Sequence, residues 1–365
     1  MRVVVDALEY DDHPAGVGQY IGHLVAAYTG HFPQDTVTAL VPAGRSLPGT
    51  ESIPLIARGA SSAHRLWVEQ RGLARRIRLL APDVSHFPDY QRPLAPLGPS
   101  VLTVHDLAAF LYPETFPALT GRVKRTLMRR SVPRATRIIV PTHAIQHDLV
   151  ERLGVDPGRV AVVPHGVAAP PLSVDPMRRP RPYLLYVGTL EPRKNVVRLL
   201  TAYGMLAEDH PDCPDLVLAG GRGWLTEPLD AARQALGRQG LGDRLSALGY
   251  VDRGELWRWL RGAAGFCYPS LYEGFGLPIL EAMAAGAPVL TSRGGATGEV
   301  AGNAAVLVDP RDVHDIRRGL DELVYGGARD RSERVAAGLA RAAQHTWAAA
   351  ARATRAVYAE AAAER

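Results

Sequence analysis

Two carboxylates, Glu273 and Glu281, stand on either side of the turn Gly274-Phe275-Gly276. Pro278 suits the first turn of a helix, where its missing N–H costs nothing, and Gly286 suits the residue just past a helix end. This spacing predicts Glu273 on a loop and Glu281 on the helix that follows. Glycines let backbone amides approach a ligand closely, and the unsatisfied N–H groups of a helix start favour an anion. A phosphate is therefore expected at this turn. Arg193 and Lys194 form a second pair suited to phosphate, just before a helix whose Val196, Leu199, Leu200 and Tyr203 fall at helical spacing. Cations at a helix start oppose the dipole unless an anion is present, and a guanidinium fork beside an ammonium can hold a diphosphate. A solvent-exposed pair is the plainer alternative. His105 and Asp106 lie just beyond an apolar strand, at the edge where open α/β sheets bind ligands. A histidine there can hydrogen-bond a sugar hydroxyl or simply tie down a loop, and the residues leave both readings open.

These side chains need a scaffold. Short apolar runs at residues 2–5, 37–41, 84–87, 100–104, 137–140 and 160–163 alternate with expected helices, notably 64–80 and 119–131. Alternation of this kind predicts a parallel sheet covered by helices on both faces. Between the first strand and a helix beginning near Gln19 lies a loop containing Gly16, Val17 and Gly18. It can cradle a phosphate or be an ordinary tight turn; the third glycine of a dinucleotide fingerprint is absent. Prolines 170, 171, 176, 180 and 182 crowd a polar stretch that reads as a linker. The pattern restarts at residue 183, with further strands near 216–219, 245–251, 265–268, 288–291 and 304–308. The expected class is α/β with two Rossmann-like domains, residues 1–170 and 183–346, joined by 171–182 and followed by a last helix within 347–365.

A chain of 365 residues, 47% apolar, can bury sizeable cores and favours two domains over one. The net charge of +5 fits a phosphate-bearing ligand or an anionic surface and is too small to argue for nucleic acid. Cys213 and Cys267 belong to no ligand cluster, so free thiols in a reducing compartment are expected. The first apolar run is too short for a signal peptide core, which points to a cytoplasmic protein. Residues 122–137 carry Arg122, Lys124, Arg125, Arg129, Arg130, Arg134 and Arg137 among apolar residues. Such a helix is either a solvated face or a weak peripheral contact with the inner face of a membrane.

Taken together, the motifs Ala15-Gly-Val-Gly-Gln-Tyr20, Thr103-Val-His-Asp-Leu107, Pro141-Thr-His143, Val163-Pro-His-Gly-Val167, Tyr186-Val-Gly-Thr-Leu-Glu-Pro-Arg-Lys-Asn195, Leu248-Gly-Tyr-Val251 and the two glutamates with seven residues between them carry a family resemblance. The sequence resembles the retaining nucleotide-sugar glycosyltransferases of family 4, with the GT-B architecture, over nearly the whole chain. That resemblance implies two Rossmann-like domains facing across a deep cleft, with the last helix returning to the first. It implies that Glu281 binds the ribose hydroxyls and Glu273 approaches the donor sugar. Amides of Phe275, Gly276 and Leu277 would hold sugar and phosphate, and Arg193 and Lys194 would neutralise the leaving diphosphate. Gly16, Val17 and Gly18 would face the same group, His105 and Asp106 the donor sugar, and Val251 the base. No metal and no cofactor are expected, because the two cations would stabilise the developing charge. Many relatives carry arginine where this chain has Thr189, which shifts phosphate contacts toward Arg193 and Lys194.

The implied activity is transfer of a hexose, GDP- or dTDP-linked by resemblance to mannosyl- and rhamnosyltransferases, to a hydroxyl of a glycan, lipid-linked or small-molecule acceptor. A nucleotide-sugar epimerase on the same fold and a non-catalytic sugar-nucleotide-binding partner are the competing readings. A pyridoxal-dependent phosphorylase needs a cofactor lysine, and Lys124 and Lys194 are the only lysines.

Overall fold

A computed structural model describes residues 1–10, 16–57, 67–171 and 173–364. The chain folds into two wholly parallel sheets, each covered by helices. The first has the order β3-β2-β1-β4-β5-β6-β7 and the second β10-β9-β8-β11-β12-β13. In sequence the strands are β1 (Arg2–Asp6), β2 (Thr36–Pro42), β3 (Glu51–Ile56), β4 (Val84–Phe87), β5 (Ser100–Thr103), β6 (Arg137–Val140) and β7 (Val160–Val162). The second sheet adds β8 (Tyr183–Val187), β9 (Asp215–Ala219), β10 (Leu245–Gly249), β11 (Gly265–Tyr268), β12 (Val289–Ser292) and β13 (Ala305–Val308). Strands buried on both faces read as continuous apolar runs, which is why most of them were visible in the sequence. β3 was not, because Pro54 and a polar opening break its run; it is an edge strand, where proline is tolerated. Residues 11–15 of the early glycine loop and 64–66 of the expected helix 64–80 lie outside the described residues.

Strand order reverses direction once in each sheet, between β1 and β4 and between β8 and β11. At such a switch point the loops leaving the carboxyl ends of two neighbouring strands run to opposite faces and open a crevice. In the second sheet these loops carry Arg193 and Lys194 after β8 and Glu273 after β11.

By packing, the described chain forms two compact units. One comprises Met1–Leu107, Arg122–Gly166 and Thr346–Arg365, the other Ala108–Gly121 and Val167–His345. In the first, Tyr20, Leu24 and Tyr28 of the helix Val17–His31 pack with Ala351, Val357 and Tyr358 of the helix Trp347–Ala363. A Cβ at Gly166 would lie 2.2 Å from the Trp347 nitrogen, so only glycine admits this approach. The Tyr358 hydroxyl meets Nδ1 of buried His86 at 2.7 Å, and Arg355 Nε donates to Asp35 at 2.8 Å. In the second unit, Leu199, Leu200 and Tyr203 of the helix Val196–Asp209 cover the sheet together with Leu280, Leu320 and Leu323. The segment Ala108–Gly121 is tied into this unit: the Trp224 indole N–H donates to Thr115 O at 2.5 Å, Phe116 stacks on Trp224, and Tyr112 packs against Tyr272.

Candidate active site

Glu273 follows β11 on the loop to the helix Leu277–Ala284, and Glu281 lies within that helix. Gly276 caps the helix at φ 97°, a left-handed conformation that disfavours any side chain, and a Cβ there would also press on Ile279 at 2.9 Å. The loop is stitched to its neighbour: Leu271 N donates to Arg193 O at 2.9 Å and Arg193 Nη1 donates to Tyr272 O at 2.8 Å.

Arg193 and Lys194 occupy a single 3-10 turn, Pro192–Lys194, ahead of the helix Val196–Asp209. Neither is a solvent-exposed cation. Arg193 Nη1 donates to Glu273 Oε2 at 2.9 Å and Nη2 to Glu191 Oε1 at 2.7 Å. Lys194 Nζ donates to Glu273 Oε1 at 2.7 Å and to the Tyr268 hydroxyl at 2.8 Å. Tyr268 in turn donates to Glu273 Oε1 at 3.0 Å. Burial penalises the charge on Glu273, but Arg193 and Lys194 outweigh it and hold the carboxyl at about 2. Burial pushes the Tyr268 phenol well above its ordinary range, which keeps it a proton donor. Two cations thus face two carboxylates in a buried, electrically balanced cluster. Asn195 locks the turn beneath it, its φ at 63° and its side-chain amide donating to Pro269 O and Pro310 O.

Glu281, almost fully buried, pairs with Arg253, whose Nη1 lies 2.7 Å from Oε1. Val251 lies on the loop after β10. Phe275 is buried, edge-on to His345.

His105 lies after β5, ringed by Tyr20 and His165. Its Nε2 is 2.8 Å from Pro88 O, which can only accept, so Nε2 carries the proton. Nδ1 then accepts from His165 Nε2 at 3.3 Å. Burial lowers the pKa of both rings, keeping them neutral at pH 7. Both nitrogens of His105 are engaged inside the first unit, so binding a sugar hydroxyl requires one of these bonds to be exchanged. Asp106 is the next residue on the same loop. Gly16 caps the helix Val17–His31 at φ 51°, and Gly18 is buried in its first turn.

Sequence reasoning brought Glu273, Arg193, Lys194 and Glu281 to the second sheet but missed Glu191, Tyr268, Asn195 and Arg253 as their partners. Glu191 and Asn195 sit inside the motif that carries the two cations, two residues before Arg193 and one after Lys194, and that proximity was the available signal. Arg253 gave none beyond being a cation at a helix start, where the dipole disfavours it. Among the described residues, no group of three or more His, Cys, Asp or Glu side chains is arranged to hold a metal ion.

Two parallel Rossmann-like sheets with such loops on the second switch point match the GT-B fold. Family models agree: "Glycosyltransferase Family 4" matches residues 14–169 and "Glycosyl transferases group 1" residues 175–337. The O-antigen chain mannosyltransferase B of Escherichia coli is 31% identical over 314 residues, covering 83% of this chain and 80% of that protein. The chain belongs to glycosyltransferase family 4 and is a hexosyltransferase. Its fold matches that of sucrose-phosphate synthase from Thermosynechococcus elongatus with a TM-score of 0.76, at 20% identity and full coverage of both chains. It also matches Anabaena HepE, solved with UDP and glucose, with a TM-score of 0.70 at 17% identity, covering 99% of this chain and all of that one.

Proposed function

We propose that the protein is a retaining, metal-independent hexosyltransferase that moves a hexose, mannose foremost, from a GDP- or dTDP-linked donor to an acceptor hydroxyl. The observation that carries this reading is the Arg193–Glu273–Lys194 cluster at the switch point of the second sheet. A diphosphate entering there shares the two cations with Glu273, and as the bond to the sugar breaks they stabilise the charge growing on the leaving group. Glu281 holds the ribose, Val251 the base, and the amides of Phe275, Gly276 and Leu277 the sugar and phosphate. For the first unit, the reading assigns phosphate to Gly16, Val17 and Gly18 and sugar hydroxyls to His105 and Asp106. The relatedness to an O-antigen mannosyltransferase supports mannose and a glycan or lipid-linked acceptor. With GDP-mannose and a mannoside acceptor, GDP release is expected to depend on acceptor, to persist in excess chelator and to give an α-anomeric product by NMR. Epimerised donor formed without acceptor, or strict Mg²⁺ dependence, refutes the reading.

The buried free thiols Cys213 and Cys267 support a reducing, cytoplasmic setting. No helix among the described residues is long and apolar enough to cross a membrane. Contact with a bilayer surface is supported by the helix Ala118–Ser131, which exposes Val123 and Leu119 among its bases. No acid occurs between Glu114 and Asp148. Arg137 does not share this face, since it pairs with Glu360 and Glu364. The protein is expected to co-sediment with phosphatidylglycerol vesicles and to be released by Arg129→Glu with Arg130→Glu. Equal binding to vesicles of phosphatidylcholine alone rules the contact out.

A further inference from the structure

Arg253 has no local reason to be an arginine. It is the first residue of the helix Arg253–Gly262, where a cation faces the positive end of the dipole, and Asp252 already caps the helix through Gly254 N and Glu255 N. What it meets instead is Glu281, at 2.7 Å from Oε1. Glu281 is 7% exposed, and Arg253 is its one ion-pair partner among the described residues. The guanidinium rests over the Trp257 ring, 5.7 Å from its centroid, one helical turn on, which limits the rotamers that can reach Glu281. Its side chain remains 35% exposed.

We propose that Arg253 is a positioning residue for the ribose end of the nucleotide. Its bond to Oε1 fixes the plane of the Glu281 carboxylate and leaves Oε2 directed at the sugar diol. Without it the carboxylate is free to rotate about its terminal torsion, and a diol must order it at the moment of binding. The proposal rests on the assignment of ribose to Glu281 and adds a second residue, on a different element, that makes that assignment productive. Because the effect lies at the nucleoside, it should appear in donor affinity and leave the diphosphate end untouched.

Titration calorimetry of GDP, UDP and inorganic pyrophosphate against the full chain tests this. Arg253→Met is expected to weaken the better-binding nucleoside diphosphate by about 10- to 100-fold, to raise donor KM with kcat largely kept, and to leave pyrophosphate binding as in the wild type. Arg253→Lys restores part of the affinity, since it returns the charge without the fork. The double variant Arg253→Met with Glu281→Gln should bind no worse than Glu281→Gln alone, because the arginine acts through the glutamate. Additive losses, an equal loss for pyrophosphate, or unchanged nucleoside affinity in Arg253→Met each overturn the proposal. If Glu281→Gln itself binds GDP and UDP as the wild type does, it is the ribose assignment that has failed. If Glu281→Gln weakens them and Arg253→Met does not, only the role of Arg253 has failed.

Discussion

Lys194→Ala lowers acceptor-dependent release of nucleoside diphosphate by about 10²- to 10³-fold, the usual cost of removing one preorganised group that stabilises transition-state charge. The lysine is held by Glu273 and Tyr268 at 2.7 and 2.8 Å, so its ammonium is already placed and no reorganisation accompanies reaction. Loss falls mainly on kcat, because Arg193 still attracts the diphosphate in the ground state. Folding should survive, since Glu273 keeps its bond to Arg193 and its hydrogen bond from Tyr268. Lys194→Arg is expected to rescue poorly: a planar fork does not fit the space between one carboxylate oxygen and a phenol. Single-turnover measurement separates the chemical step from binding, and a Lys194→Ala enzyme with near-native turnover removes this residue from the chemistry.

Glu273→Ala is expected to be the most destabilising single change in the site. It leaves Arg193 with Glu191 as its remaining carboxylate and Lys194 with only the Tyr268 hydroxyl. Breaking one side of a buried ion pair costs about 3–5 kcal/mol, or roughly 10 °C in melting temperature for a unit of this size. A saturating nucleoside diphosphate should restore more stability to this variant than it adds to the wild type, because its phosphates replace the missing carboxylate. The pH dependence carries a defined sign. Glu273 is held at about 2 against an ordinary 4.5, so its contribution is present above 4.5 and is lost as pH falls through 2. Denaturant unfolding across that window should therefore show a steeper loss for the wild type than for Glu273→Gln. Parallel curves would mean that the carboxylate is not held by the two cations.

The sheets were legible because strands buried on both faces are short unbroken apolar runs, and the turn at Gly276 because its glycine and Pro278 have separate physical jobs. The edge strand β3 was not, since half of its surface needs no apolar residue. Within the site, sequence can place Arg193 and Lys194 on one loop and Glu273 on another, but it does not show that they pair directly. Which loops are neighbours depends on strand order, and β8 lies beside β11 although 77 residues separate Val187 from Gly265. The pairing of Arg253 with Glu281 was invisible for the same reason, as it joins the start of the helix after β10 to a helix that follows β11. His105 shows the opposite limit: its place at the sheet edge was readable, but the occupation of both nitrogens by Pro88 and His165 depends on rotamer and tautomer.

The first unit takes its last helix, Trp347–Ala363, from beyond the whole of residues 167–345. On the ribosome, β7 therefore leaves the exit tunnel long before Ala351, Tyr358 and Ala361 exist to cover the face of the helix Val17–His31. At about 5–20 residues per second, the nascent first unit waits some 10–40 s with apolar surface uncovered, while the later unit can close around its own sheet as it emerges. The order of completion is thus inverted relative to the order of synthesis, and the half made first is the last to bury its apolar face.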